Sequence, residues 1–109
     1  VIKIDIKPLS VNDAWKGRRF KTKQYEKYER DVLFLLPKIK LPDPPFHVDY
    51  EFGFSSAGSD LDNPVKLCTD ILQKKYEFND SSIHSMNIRK FKVEKGKEYF
   101  KFEFKTLER

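Results

Sequence analysis

Two stretches, "HVDYEFGF" at 47–54 and "EYFKFEFKT" at 98–106, place a bulky apolar residue at every second position. Successive side chains of a strand point to opposite faces. Val48, Tyr50, Phe52 and Phe54 therefore share one face, and Phe100, Phe102 and Phe104 share another, opposite Lys101, Glu103 and Lys105. A sheet made from such strands has one aromatic face, which is stable only when another layer covers it. Two helical patterns can supply that layer. Thr22 predicts an N-cap for a helix over 22–36, with Tyr25, Tyr28, Val32, Leu35 and Leu36 in its apolar stripe and Pro37 at its end. A second helix is expected from Asn63 as cap, with Pro64 in the first turn, through Val65, Cys68, Ile71 and Leu72 to about Lys75. The remaining strands are expected at 1–7, where Ile2, Ile4 and Ile6 alternate with Lys3 and Asp5, and at 85–93. "EKGK" at 94–97 reads as a hairpin joining the last two strands. The order β-α-β-α-β-β predicts one α+β domain over 1–109, a small mixed sheet with two helices packed on it.

Composition narrows the function classes. The 109 residues carry 22 Lys and Arg against 17 Asp and Glu, a formal charge of +5, with ten Phe, five Tyr and one Trp. That balance favours an acidic partner, nucleic acid being the usual one. Cys68 is the single cysteine, which excludes an internal disulfide framework and a Cys-rich zinc site and suggests a reducing, cytoplasmic setting. No apolar run reaches the length of a membrane span, and the first residues do not read as a signal peptide. Neither a Ser-His-Asp order nor a phosphate-cradling glycine loop is evident, which counts against acyl transfer and nucleotide hydrolysis.

The chemistry concentrates in "SDLDNPVKLCTDILQ" at 59–73. On an extended chain, Asp60 and Asp62 would point to the same side. At about 4 Å their charges would repel by roughly 4 kcal/mol at a surface-like dielectric. A divalent cation offsets that cost, and Mg²⁺ prefers carboxylate oxygens while keeping waters for a phosphate-bearing substrate. Lys66, in the first helical turn, can reach back to charge that builds on a phosphate. The plainer reading makes Asp60 and Asp62 ordinary helix N-terminal acids and Lys66 an exposed side chain. Asp70 reads either as the i+4 ion-pair partner of Lys66 or as the group that positions Lys66 for the reaction. Asn63 is an N-cap or a contact to metal-bound water. Lys16, Arg18, Arg19 and Lys21 form a basic loop with Trp15 and Phe20 between them. Cations there would meet DNA phosphates, while the rings either stack on bases or anchor the loop to the core. Cys68 falls in a helical stripe and reads as a buried structural thiol. His47 and His84 lack metal-ligand spacing, although His84 is close enough to Asp80 in sequence to assist as a base.

"DLDNPVKLCTDIL", followed by "NDSSI", resembles the signature of the RusA family of Holliday junction resolvases, small dimeric Mg²⁺ endonucleases that cut four-way DNA junctions. The matching positions are Asp60, Leu61, Asp62 and Asn63, then Lys66 and Asp70. The family's later acidic pair appears as Asn79-Asp80, its first member amidated and the intervening segment about one residue short. "PLSVNDAW" after the first strand is similar to the family's proline-rich N-terminal segment, so the resemblance covers most of the chain in order. It implies a RusA-like fold and hydrolysis of phosphodiesters in branched DNA during recombination and repair. It implies Mg²⁺, with Mn²⁺ able to replace it, held by Asp60, Asp62 and Asp80. Lys66 would be catalytic, with Asn63 and Asp70 in supporting positions. A homodimer with no membrane attachment, in the cytoplasm of a bacterial or phage-infected cell, is also implied.

Chain length sets a problem for Asp80. A helix of about 12 residues carries the chain roughly 18 Å away, and five further residues return at most about 17 Å. Asp80 either barely reaches the site of its own chain or completes that of a dimer partner. Two rival functions stay open: a non-catalytic dimeric DNA-binding protein on the same scaffold, and a nuclease for flaps or forks.

Overall fold

The computed structural model describes every residue except Arg18, Arg19, Ala57, Ser59 and Arg109. Its elements are β1 (Ile2–Ile4), a 3-10 turn (Val11–Asp13), β2 (Trp15–Lys16), β3 (Phe20–Lys21), α1 (Lys23–Leu35), β4 (Phe46–Phe54), α2 (Val65–Tyr76), a second 3-10 turn (Asp80–Ser82), β5 (Ile83–Lys92) and β6 (Tyr99–Thr106). The main sheet has the order β1-β6-β4-β5, and β2 with β3 makes a separate two-stranded ribbon. β6 runs antiparallel to both β1 and β4, while β4 and β5 are parallel. The fold is α+β, with a small mixed sheet and two helices, as the alternation predicts.

Register explains the core. Val48, Tyr50 and Phe52 lie opposite Phe104, Phe102 and Phe100, and Phe100 in turn lies opposite Ile4. All of these are buried together with Tyr25, Tyr28, Val32 and Leu36 from the first helical segment and Leu67, Cys68, Ile71 and Leu72 from α2. Both helices thus cover one aromatic face. The other face is polar, and its cross-strand ion pairs include Lys101–Glu51 at 3.5 Å and Lys105–Asp49 at 3.3 Å. One-sided burial of this kind is what the period-two pattern requires. Gly53 sits where the Tyr99 ring lies over β4; a Cβ there would collide with that ring. The glycine in "FGF" therefore makes room for an aromatic from the neighbouring strand.

Several local expectations are corrected. The hairpin across 94–97 is absent: a turn forms, with Lys97 N–H donating to the Glu94 carbonyl at 2.9 Å and Gly96 at φ +94°, but β6 pairs with β4 and β1 rather than with β5. The reason lies in the side chains. β6 is buried along one face and takes a central place, whereas residues 89–92 of β5 are exposed on both faces and suit an edge. β1 stops at Ile4, and the Ile6 N–H turns back to the Ile4 carbonyl. Leu35 is 46% exposed, because Leu36 takes the core position one turn beyond Val32. α2 is capped by Pro64, not by Asn63, with no side-chain cap bond. Thr22 does cap α1: its hydroxyl accepts the Tyr25 N–H at 3.1 Å.

Candidate functional site

The stretch between β4 and α2 is bent, not extended. Leu61 and Asp62 lie in a bend and Asn63-Pro64 in a turn, so the two-residue period no longer aligns the acids. Asp62 lines a cavity of about 340 Å³ together with Val65, Lys66, Thr69, Asp80, Ile83, Met86 and Ile88. Asp60, expected as a third ligand, lines a neighbouring cleft of about 570 Å³ with Asn63, Ser10 and Tyr28. The Asn63 amide donates to the Asp60 carboxylate at 3.4 Å, a contact that replaces the expected capping role. Among the described residues, no three carboxylate, imidazole or thiol side chains cluster closely enough to hold one ion.

Asp80 returns to the helix of its own chain. Glu77 ends α2 in the left-handed conformation (φ 55°), and the 3-10 turn that follows packs back on α2. The Asp80 N–H donates to the Gln73 side-chain carbonyl at 2.9 Å. The Gln73 amide nitrogen donates to Asp70 Oδ1 at 3.3 Å, and Lys66 Nζ donates to the same oxygen at 3.0 Å. Gln73 was not singled out in the sequence. Its spacing of three residues from Asp70 signals only the bond along the helix; no spacing in the sequence points to the bond with Asp80. Asn79, the amidated member of the acidic pair, caps the turn: its side-chain oxygen accepts the Ser81 N–H at 2.9 Å.

The cavity wall is anchored in the core. Thr69 is buried, and its hydroxyl is 2.8 Å from the Tyr50 hydroxyl. Burial pushes the Tyr50 phenol well above its usual value. Cys68, next to Thr69, is buried beneath Tyr28 at 3.4 Å, and burial pushes its thiol up to about 12, so it behaves as the structural thiol expected. The "PLSVND" segment is tied to the acidic turn by the Val11 N–H, which donates to the Asn63 carbonyl at 3.1 Å. Two stretches some fifty residues apart in sequence thus share the Asp60 cleft.

The basic loop is only partly described. Arg18 and Arg19, both expected to contact DNA, lie outside the described residues. Lys16 is exposed on β2. Lys21 is half-buried: it pairs with Glu29 at 3.0 Å, which raises its pKa, and lies 5.1 Å from the Tyr25 ring centroid. Lys74 of α2 meets the same Glu29 oxygen at 2.9 Å, so Glu29 ties the ribbon to both helices. Trp15 packs edge-on against Tyr25 with centroids 5.4 Å apart, an anchoring role. Phe20 is 71% exposed and anchors nothing in the core.

Neither histidine lines the cavity. His47, on the polar face, is bonded to Ser85 through Nδ1 at 2.8 Å and to Asp49 through Nε2 at 2.9 Å. His84 is the extra residue at a bulge between Ile83 and Ser85 and is exposed.

What the Asp62 cavity offers is two exposed carboxylates, one ammonium group and no His or Cys. That donor set fits a hard, oxygen-seeking cation such as Mg²⁺, which needs only one or two carboxylates and keeps water elsewhere. Comparison of the chain with protein-family models and with curated proteins finds no match. No helix among the described residues is long and apolar enough to cross a membrane.

Proposed function

We propose that this chain is a Mg²⁺-dependent endodeoxyribonuclease of RusA type that cuts branched DNA, with the four-way junction as its substrate. The observation that supports this reading is the convergence of Asp62, Lys66 and Asp80, from a loop, a helix and a 3-10 turn, on one cavity. Asp62 and Asp80 would hold the ion, which when bound supplies activation of water and polarisation of the phosphodiester. Lys66, drawn by Asp70 along the helix, offers its ammonium group to the charge that develops on phosphate. Lys16 and Lys21, together with Arg18 and Arg19, would meet backbone phosphates at the ribbon. Paired incisions in a junction need two such cavities, hence a homodimer.

The test is cleavage of a synthetic four-way junction with Mg²⁺ or Mn²⁺ and then with chelator, beside linear, flapped and forked duplexes. Metal-dependent cutting confined to the junction supports the proposal. Cutting of flaps or forks in preference reassigns the substrate. A second reading, a non-catalytic DNA-binding protein, is favoured by the placement of Asp60 outside the cavity and by Asn79 in place of an acid. Junction binding without cutting in any divalent metal would establish it and end the nuclease reading.

A further inference from the structure

We infer that Gln73 is a positioning residue: its side-chain amide sets the placement of Asp80 relative to Lys66 and so fixes the shape of the cavity. The inference rests on the nuclease reading for its meaning in catalysis, but its geometry stands apart from it. Asp80 follows a left-handed helix end and a short connector anchored to the core by the Phe78 ring, which packs against Phe46 and Phe104. One backbone bond, from the Asp80 N–H to Gln73 Oε1 at 2.9 Å, joins that turn to the face of α2 that carries Lys66. The other end of the same amide donates to Asp70 Oδ1 at 3.3 Å, where Lys66 Nζ also arrives at 3.0 Å. Lys66 and Gln73 are about 10 Å apart along the helix axis. The chain Lys66–Asp70–Gln73–Asp80 therefore links the cation and the later carboxylate of one cavity through a rigid element.

Glutamine suits the task because it presents an acceptor and a donor at once. Its carbonyl meets an N–H and its NH₂ meets a carboxylate, so the contacts on both sides also select the orientation of the amide. Glutamate would keep the acceptor for Asp80 but place a carboxylate against Asp70. Methionine, similar in length, would offer neither bond. The two substitutions thus separate the Asp80 contact from the Asp70 contact.

The experiment compares the full chain with Q73M and Q73E, with three readouts. Thermal melting checks the fold. Amide hydrogen exchange at Asp80 reads the clamp without any metal. Titration with Mn²⁺, followed by paramagnetic broadening of Asp62 and Asp80 resonances, reads the cavity. The expected result for Q73M is an intact fold, loss of protection at the Asp80 N–H and Mn²⁺ affinity lowered by roughly 10–100-fold, the usual effect of removing a group that orients ligands. Q73E is expected to retain that protection. Unchanged exchange at Asp80 in folded Q73M overturns the inference, as does unchanged Mn²⁺ affinity there. If the unsubstituted chain binds no Mn²⁺ near Asp62 or Asp80, the metal reading fails, and Asp80 exchange alone decides whether Gln73 holds the turn.

Discussion

Two hollows flank the turn between β4 and α2, and they differ in what they hold. The Asp62 cavity sets Asp62 and Asp80 beside Lys66, with Val65, Ile83, Met86 and Ile88 for the rest of its wall apart from Thr69. Among the described residues, the Asp60 cleft sets Asp13, Asp31, Asp60 and Glu98 beside Lys7 and Lys27, with several hydroxyl and amide groups. Among the described residues acids outnumber lysines two to one in both hollows, so they differ in their walls, mostly apolar around Asp62 and half polar around Asp60. At the first, one ammonium group stands beside the two acids proposed to hold the ion. Carboxylates two residues apart thus acquire different surroundings, because one bend lies between them.

The largest test of that difference is to neutralise the acids one at a time. Asp62→Asn and Asp80→Asn are each expected to lower junction cutting by at least about 100-fold, at or beyond the effect of groups that only orient ligands. Asp60→Asn is expected to cost less than about 10-fold, since it acts only from the neighbouring cleft. Initial cutting rates, with melting curves to confirm folding, decide this. Equal losses for Asp60 and Asp62 would abolish the distinction between the hollows. Lys66→Ala comes next, with a loss of roughly 100-fold in single-turnover rate and little change in junction affinity measured by gel shift. A parallel loss of affinity would make Lys66 a docking group instead.

A smaller effect concerns the wall of the Asp62 cavity. Thr69→Val removes the hydroxyl that partners buried Tyr50 and should destabilise the fold by about 1–3 kcal/mol. Urea unfolding measures it, and a neutral result would mean that Tyr50 finds another partner. The smallest effect belongs to the Asp60 cleft. Glu98 is held below the usual carboxylate value of 4.5, first by its own backbone N–H and then by the Ser55 hydroxyl. A depressed value means that the contact is complete above the unfolded pKa and is lost as pH falls through the folded one. A carboxyl-carbon NMR titration should place the Glu98 midpoint below 4.5. A midpoint at or above that value would show the loop contact to be absent in solution.

Much of the fold was legible because its causes are local. The alternation in "YFKFEFKT" specifies a one-faced strand whatever its neighbours, and Thr22 caps a helix through a bond three residues away. The neighbour of a strand is a different matter. The glycine turn at 94–97 suggested that β5 and β6 pair, yet exposure on both faces of residues 89–92 belongs to an edge and β6 to the centre. The candidate site divides in the same way. Lys66 and Asp70 were legible as an i, i+4 pair on one helix face. Gln73 was not, because its partner Asp80 lies beyond the helix end and meets it only when the chain reverses at Glu77.

The sequence by itself determined which faces must be buried, where α1 starts and which charged groups the turn before α2 carries, since periods of two and of three to four residues act over a few bonds. Only the tertiary structure decided strand order, the separation of Asp60 from Asp62 and the return of Asp80 to its own helix. These depend on backbone direction at a few bends, and a small change of φ and ψ at one residue there redirects everything that follows.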